Sequence, residues 1–316
     1  MSKYTPNMVL SNKTFDVVGT RPIRHDGIDK VTGSAKYGGD VHPSGVLYGY
    51  ILRSPFAHAR IKSINVENAL QIEGVKAVVT YKDLNPKLDG ALKSADTVGL
   101  KYLRDNILAS DKVLYKGQAV AAVAATDIHT AEEAVSSINI EYELLPAVLT
   151  APDAARNDAP ILHSFLETET LAGMIPGPTN VAKKFVFEHG DIEKGFLEAD
   201  VVVERQFDAK TVHQGYIETH NAVANWNRDG RLTVWCSTQA PFGVRQNLSK
   251  IFGIGVSDIR VIPMEIGGGF GGKIPVYLEP VAAALSKKSG WPVKIQMSRK
   301  DVFEGTGPTS GSRITV

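Results

Sequence analysis

Cysteine is almost missing from this sequence, since Cys236 is the single one in 316 residues. One cysteine excludes an internal disulfide, and it excludes an all-protein iron–sulfur cluster or a cysteine-rich zinc site within the chain. Cys236 itself lies in an apolar segment, where we expect an inert core residue.

An excess of charge and long apolar runs are missing too. The 35 Lys and Arg residues nearly balance the 34 Asp and Glu residues, so nothing favours binding to nucleic acid or to an anionic membrane surface. The longest apolar run, residues 119–125, is too short to span a bilayer. The N-terminal residues lack the apolar core of a secretory signal. We therefore expect a cytoplasmic protein without a membrane span.

Hydrolase signatures are also absent. Neither a G-x-S-x-G elbow nor a Ser-His-Asp pattern occurs, so the sequence does not favour nucleophilic hydrolysis. What remains is an ordinary globular composition, with 43% hydrophobic and 22% charged residues. The length favours two domains.

Turn-forming residues divide the chain into two predicted units. Residues 19–148 predict a mixed α+β unit, with a long irregular surface connection at 82–112 and a buried strand at 113–125. Residues 149–179 contain four prolines and predict a linker. Residues 180–316 predict a second α/β unit that includes a strand at 199–207, so the predicted fold class is α+β.

A glycine-rich segment is the most distinctive stretch. Residues 265–273, here called the glycine loop, contain five glycines within six positions. They follow a predicted strand at 259–264 and precede a predicted helix at 277–289. Glycine lets a ligand approach the backbone closely, and successive N–H groups near a helix start can cradle an anion. The sequence therefore predicts a large anionic ligand here.

Spacing alone leaves the ligand of the glycine loop open. Gly267, Gly269 and Gly272 satisfy the dinucleotide pattern G-x-G-x-x-G, but no acidic residue ends the next predicted strand. A P-loop spacing is also present, yet Ile274 stands where a magnesium-binding hydroxyl is required. A nucleotide-binding protein remains a distant alternative. A tight packing turn without a ligand is the other alternative.

Two further segments are expected to meet the glycine loop. Gln239 lies between a strand predicted at 231–237 and a helix predicted at 241–252, where its amide can donate and accept hydrogen bonds, although such a glutamine can also simply bridge a turn. His213, Glu218 and His220 have no standard zinc spacing. For these three residues we favour a buried polar network that positions the glycine loop, and we predict no metal ligands in the chain.

Taken together, several motifs resemble one enzyme family along nearly the whole chain. The N-terminal motifs are similar to the hammerhead α/β domain of the xanthine dehydrogenase/aldehyde oxidase family, the molybdenum hydroxylases. The later motifs resemble the first molybdopterin-binding domain of its large subunit. The matching segments are 19–22, 30–37, 52–59, 115–121, 215–220, 237–239 and 267–273. The predicted domains are therefore a hammerhead domain at 19–148 and an incomplete first molybdopterin-binding domain at 180–316.

The resemblance implies a cofactor and the residues that bind it. Family members carry molybdenum on molybdopterin or its cytosine dinucleotide form, and they insert water-derived oxygen into an aldehyde or an N-heterocycle. Gln239 matches the glutamine that hydrogen-bonds an oxygen ligand of molybdenum. The residues matching the loop beside the metal and the pterin are Gly268, Gly269, Phe270, Gly271 and Gly272.

The chain departs from the family pattern in two respects. Xanthine-type members have a substrate-binding glutamate where Ile274 stands, and an aliphatic side chain cannot hydrogen-bond a purine. Ile274 therefore favours an aldehyde, nicotinate-like or carbon monoxide substrate over xanthine. In addition, the catalytic glutamate and the second molybdopterin-binding domain of the family have no counterpart here. We therefore identify no catalytic residue in this chain.

These departures predict a truncated or naturally split large subunit that is inactive alone. Such a subunit would need a C-terminal molybdopterin domain or subunit, an FAD subunit and a [2Fe–2S] subunit. The alternative from another functional class is a non-catalytic assembly or scaffold subunit that keeps the fold and binds no cofactor.

Overall fold

Alternating apolar residues and β-branched side chains produce many short strands, as the sequence predicts. The computed structural model describes residues 15–84 and 95–316. Its strands are β1 (Leu47–Arg53), β2 (Ala59–Asn65), β3 (Val75–Thr80), β4 (Lys112–Val113), β5 (Ala119–Ala125), β6 (Asn139–Leu144), β7 (Thr168–Thr170), β8 (Gly173–Ile175), β9 (Lys183–Lys184), β10 (Gln206–Ala209), β11 (Asn221–Trp226), β12 (Leu232–Cys236), β13 (Ile259–Pro263), β14 (Val293–Gln296) and β15 (Ser312–Thr315).

Several helices begin at a residue that caps the free N–H groups of the first turn. The side chains of Asp127, Asp191 and Ser298 each accept a hydrogen bond from the backbone N–H three positions later. The helices are α1 (Gly27–Thr32), α2 (Glu67–Gln71), α3 (Ala95–Ile107), α4 (Ile128–Ser136), α5 (Ala151–Ala154), α6 (Ile192–Glu198), α7 (Pro241–Phe252), α8 (Glu279–Ser289) and α9 (Arg299–Gly305).

The chain divides into two compact units, Met1–Lys36 and Tyr37–Val316. In the described part of the first unit, α1 ends at Gly33, whose φ of 77° lies in the left-handed region that glycine favours. The second unit contains all fifteen strands of the described residues.

A seven-stranded mixed sheet forms the centre of the second unit, in the order β13-β12-β11-β14-β1-β5-β3. Strands β1 and β14 pair in parallel, with Leu47 opposite Val293, and β12 and β13 also pair in parallel. The other neighbours are antiparallel. The remaining described strands form the smaller sheets β4-β2-β6, β8-β7-β9 and β10-β15.

Both faces of the large sheet are covered by apolar side chains. Every residue of β5 is buried, which confirms the second half of the strand predicted at 113–125, whereas residues 114–118 lie outside any strand. One face packs against α7 and α8 in the larger core, which includes Val234, Leu248 and Leu285. At the β1-β5-β3 end of the sheet, the other face packs against α2 and α4 through a smaller cluster that includes Val123 and Val135. The sheet is therefore a rigid base for the segments that follow its strands.

Three predicted segments differ from the structure. Helix α3 occupies part of the predicted irregular connection 82–112, of which residues 85–94 lie outside the described residues. The predicted linker contains α5, β7 and β8. A strand predicted at 199–207 is only Gln206–Ala209. The linker and residues 199–207 have few buried apolar side chains to reveal their periodicity, whereas α3 packs Leu100, Leu103 and Ile107 against the larger core.

The large sheet joins strands from both sides of the predicted linker. Strands β1, β3 and β5 come from residues before 149, whereas β11, β12, β13 and β14 come from residues after 179. The division at 148 and 180 remains a prediction, and the two segments share one sheet.

Within the described residues, the structure contains no helix with the length and apolar character needed to cross a membrane.

Candidate functional site

The glycine loop lies between an edge strand of the large sheet and a buried helix. Strand β13 ends at Pro263 and α8 begins at Glu279, which confirms the predicted order of strand, loop and helix. Gly268 and Gly271 have φ values of 96° and 89°, and Phe270 has a φ of 50°. Positive φ values explain the glycines at 268 and 271, because other residues adopt them only with strain. Among the described residues other than glycine, Phe270 is the one with a positive φ.

Glu218 connects the two ends of the glycine loop. Its Oε2 accepts a hydrogen bond from Gly267 N at 2.8 Å and from Lys273 Nζ at 2.7 Å. Its Oε1 accepts a bond from Asn221 Nδ2 at 2.9 Å. The side chain of Lys273 is 0% exposed, and burial lowers its pKa while the Glu218 carboxylate opposes that change. The buried ion pair thus closes the loop at its base.

Gln239 holds the far half of the loop. Its backbone N donates to Lys273 O at 2.9 Å, and its Oε1 accepts from Gly271 N at 3.0 Å and from Lys273 N at 3.3 Å. A Cβ on Gly269 would lie 2.4 Å from this Oε1, so the approach requires glycine at that position. The structure therefore brings Gln239 to the glycine loop, as predicted from the sequence.

Most backbone donors of the loop are already used inside the chain. The N–H groups of Gly267 and Gly271 to Ile274 all donate to protein oxygens. The N–H groups of Gly268, Gly269 and Phe270 have no acceptor among the described residues. The predicted run of free N–H groups is thus reduced to three consecutive donors at the loop tip.

The sequence predicts that N–H groups at the start of the following helix help to bind an anion. The start of α8 does not point free donors at a ligand, so this expectation is wrong. The carboxylate of Glu279 accepts from Tyr277 N at 3.1 Å and occupies the first turn itself. Glu279 is fully buried, and burial raises its pKa. The Cys236 thiol lies beside this carboxyl, and burial raises the pKa of the thiol; the predicted core position of Cys236 is confirmed.

Two side chains of the loop region are exposed. Phe270 is 74% exposed at the loop tip, and Ile274 is 52% exposed immediately after Lys273. Phe270 lies over the backbone of Gly268, since a Cβ on that glycine would be 3.2 Å from Phe270 Cε2. An apolar surface therefore borders the three free N–H groups.

The predicted polar network beneath the loop is confirmed. Glu218 binds Lys273, His220 Nε2 lies 2.6 Å from the hydroxyl of Tyr216, and His213 Nε2 lies 2.8 Å from Thr306 Oγ1. Each side chain thus has a partner other than a metal. Among the described residues, no group of three His, Cys, Asp or Glu side chains could hold a metal ion.

Sequence reasoning missed two residues that support this region. Arg299 Nη1 donates to Tyr216 O at 2.8 Å, and its other terminal nitrogen donates to Ile217 O. Asn221 binds Glu218. Arg299 lies three positions after the end of β14, but no local pattern indicates that its side chain reaches a segment more than 80 residues earlier.

The arrangement fits an anionic, oxygen-rich ligand at the loop tip. Three consecutive N–H groups there lack an acceptor. Gln239 Oε1 accepts from the loop, which leaves the amide Nε2 as a further donor without an acceptor among the described residues. Neutral donors of this kind suit oxo groups and phosphates. The side chains present are thus compatible with a phosphate-bearing molybdenum cofactor, which would bind through hydrogen bonds and not through a metal ligand from this chain.

Comparison with known families supports a cofactor-binding site in this region. Residues 32–146 match the aldehyde oxidase and xanthine dehydrogenase a/b hammerhead domain, and residues 175–316 match the molybdopterin cofactor-binding domain. The chain is similar to the xanthine dehydrogenase molybdenum-binding subunit of Escherichia coli, with 34% identity over 90% of this chain and 36% of that protein. It is also 32% identical to the nicotinate dehydrogenase large molybdopterin subunit of Eubacterium barkeri, over 92% of this chain and 63% of that protein.

Solved structures show the same similarity. The reconstituted CO dehydrogenase from Oligotropha carboxidovorans aligns with a TM-score of 0.76 at 33% identity, over 93% of this chain and 36% of that chain. The aldehyde oxidoreductase from Desulfovibrio gigas aligns with a TM-score of 0.78 at 27% identity, over 92% of this chain and 31% of that chain. This chain therefore spans between about a third and two thirds of the length of these relatives.

The two matched domains, the order of their motifs and the geometry of the glycine loop agree with one another. The chain carries the hammerhead domain and part of the molybdopterin-binding domain of a large subunit, and it belongs to the xanthine dehydrogenase/aldehyde oxidase family of molybdenum hydroxylases.

Proposed function

We propose that this chain is part of the molybdenum-cofactor subunit of a hydroxylase that oxidises an aldehyde, an N-heterocycle or a related C–H or carbon monoxide substrate. The observation that supports the proposal most is the loop tip. There the N–H groups of Gly268, Gly269 and Phe270 are free, and the Gln239 side chain lies against the same loop. These are neutral donors for a ligand rich in oxygen.

In this proposal, the protein binds and orients molybdopterin, in its cytosine dinucleotide form, and does not ligate the metal. The bound cofactor would supply the redox chemistry by which oxygen from water enters the substrate. Gln239 would donate from its Nε2 to an oxygen ligand of molybdenum. Phe270 would exclude water beside it, and the cofactor-binding glycines would be Gly268, Gly269, Gly271 and Gly272. Glu218 and Lys273 would keep the loop closed.

Ile274 is proposed as a residue of the substrate pocket. Its side chain is exposed directly after the loop lysine and offers no hydrogen bond to a polar heterocycle. We therefore propose an aldehyde, a nicotinate-like compound or carbon monoxide as the substrate in preference to xanthine. The relatives named above include a nicotinate dehydrogenase and a CO dehydrogenase as well as a xanthine dehydrogenase.

We further propose that turnover requires protein beyond these 316 residues. The single cysteine cannot form an iron–sulfur cluster, and the loop carboxylate of Glu218 is engaged by Lys273 and Gly267. The proposed partners are a C-terminal molybdopterin domain or subunit, an FAD subunit and a [2Fe–2S] subunit, with electrons leaving the molybdenum through them. A cytoplasmic location remains a prediction.

The test is elemental analysis of the protein purified from its native host with its copurifying subunits. We expect molybdenum at a stoichiometric level in the wild type and a loss of severalfold in Gln239→Ala and Phe270→Ala. Gln246→Ala and Phe242→Ala are matched controls, because both side chains are exposed on α7 and neither is hydrogen-bonded to the loop among the described residues. Molybdenum content equal to that of the controls would instead support a non-catalytic scaffold subunit.

A further inference from the structure

Tyr216 lies directly beneath the glycine loop. Its side chain is buried, and a Cβ on Gly272 would come within 2.7 Å of Tyr216 Cε1. A Cβ on Gly268 would lie 3.0 Å from the Tyr216 Cβ. The ammonium of Lys273 lies 4.9 Å from the centroid of the same ring. One aromatic residue thus contacts the loop on both sides of its tip.

The hydroxyl of Tyr216 is fixed by a buried imidazole. His220 Nε2 lies 2.6 Å from the phenol oxygen, and Thr306 Oγ1 lies 3.3 Å from it. His220 is 4% exposed, and its ring packs edge-on against the rings of Tyr216 and Tyr277. Burial and the nearby Lys273 charge lower the pKa of His220 to about 3, so the ring stays neutral. A neutral imidazole can accept the phenol proton in a hydrogen bond without adding charge beneath the loop.

The backbone of Tyr216 is fixed as well. Arg299, the first residue of α9, donates from Nη1 to Tyr216 O at 2.8 Å. Thr306, which follows α9, donates its hydroxyl proton to Val302 O at 2.7 Å. Tyr216 is therefore held at its hydroxyl by His220 and at its carbonyl by Arg299.

We propose that Tyr216, held by His220, is a positioning residue that keeps the free N–H groups at the loop tip in their binding geometry. Tyr216 has almost no exposed surface from which to touch a ligand, so it acts through Gly268, Gly272 and Lys273. The identity of the ligand rests on the proposed function, whereas the positioning of the loop does not.

The test compares three variants in the purified protein with its native subunits. Tyr216→Phe keeps the ring and removes its hydroxyl. His220→Leu removes the partner, and His220→Gln offers an amide in its place. Tyr142→Phe is the matched control, since its ring packs against Phe56 in a different cluster. Hydrogen exchange of residues 266–274, the melting temperature and the molybdenum content per chain are measured for each protein.

We expect about tenfold faster amide exchange at Gly271 and Lys273 in Tyr216→Phe and His220→Leu, together with a lower molybdenum content. His220→Gln should restore most of the protection, and the double variant Tyr216→Phe/His220→Leu should lose no more than either single variant. The Tyr142→Phe control should retain wild-type exchange in the loop even if its melting temperature falls.

Wild-type exchange in the loop of Tyr216→Phe and His220→Leu would overturn the inference, and so would failure of His220→Gln to restore protection. These results are distinct from a failure of the proposed function. In that case the wild-type protein would hold no molybdenum, while the loop would still lose protection when Tyr216 is altered.

Discussion

At the scale of single residues, Glu218 closes the base of the glycine loop through its ion pair with Lys273. Replacing it with glutamine would leave the ammonium of Lys273 buried without its counter-charge, and breaking a buried pair in this way typically costs about 3–5 kcal/mol. We expect Glu218→Gln to lower the free energy of unfolding by about 3 kcal/mol, because glutamine can still accept one hydrogen bond. Urea denaturation at pH 7 measures the change.

A surface pair provides the control for Glu218. Glu169 and Lys183 are also 2.7 Å apart, but both side chains are about half exposed. Glu169→Gln should change the free energy of unfolding by less than about 1 kcal/mol. The double variant Glu218→Gln/Lys273→Met should recover part of the loss. Equal losses in the two single variants would contradict the buried ion pair as the base of the loop.

The neutral state of His220 predicts a pH dependence. Its pKa falls from the ordinary 6.5 to about 3 on folding, so between these values the unfolded chain binds a proton that the folded chain excludes. Stability from this residue is complete above pH 6.5 and declines as the pH falls, by about 2 kcal/mol at pH 5. Urea midpoints at pH 7.5 and pH 5 measure the decline.

His220→Gln should reduce the difference in urea midpoint between pH 7.5 and pH 5, since glutamine does not titrate. His129→Gln alters an exposed histidine of α4 and should keep the wild-type dependence. The prediction fails if the stability of both variants declines to the same extent as the pH falls.

The sequence was informative about the residues of the site but not about their partners. Gln239 and the glycine loop were predicted to meet, because strand ends and glycine-rich turns are visible locally. The pairing of Glu218 with Lys273 spans 55 positions and has no local pattern, so only a polar network could be predicted there. The roles of the predicted site residues toward a cofactor remain predictions, because they depend on a ligand.

At the scale of elements, α9 connects the site to the large sheet. Its N-cap Ser298 accepts from Asp301 N, and Asp301 also binds Arg53 of β1 at 2.8 Å. Ser298→Ala should lower the free energy of unfolding by about 1 kcal/mol and loosen the contact of Arg299 with Tyr216. Thermal denaturation with hydrogen exchange at residues 216–218 measures both effects.

Ser298→Thr is the matched control for the cap, since it keeps a hydroxyl at the same position and should lose only a few tenths of a kcal/mol. A loss as large as that of alanine would show that the cap contributes nothing and that packing at Ser298 matters instead.

Elements with strong local signals were predicted closely. Helix α7 runs from Pro241 to Phe252 as predicted, because proline favours the first turn and Gly253 ends the helix with a φ of 65°. Helix α3 was missed although Leu100, Leu103 and Ile107 lie on one face of it and pack against the larger core, because polar residues separate them and the segment was interpreted as a surface connection. The predicted strand at 199–207 is mostly exposed, and without a buried face nothing fixes an extended pairing there.

At the scale of the whole molecule, the large sheet makes the two matched segments depend on each other. Strand β14 lies between β11 and β1, and one core contains side chains from both segments. We expect a fragment of residues 37–148 and a fragment of residues 180–316 to lack a cooperative thermal transition when produced separately. Circular dichroism melting checks this.

Producing the two fragments together should restore a cooperative transition, because β1 and β14 can then pair. The fragment of residues 180–316 with Leu285→Asp is the control, since a charge in the shared core should prevent complementation. A sharp transition in either isolated fragment would contradict the mutual dependence.

The parallel pairing of Leu47 with Val293 also has a consequence for synthesis of the chain. Strand β1 leaves the ribosome early and gains its partner β14 only after some 240 more residues have been made. During that interval one edge of β1 has unpaired N–H and C=O groups and an uncovered apolar face, the condition under which nascent chains associate wrongly. Contacts between such distant positions also form slowly. The yield of folded protein should therefore rise at low growth temperature or with extra chaperones, more than the equilibrium stability alone would predict.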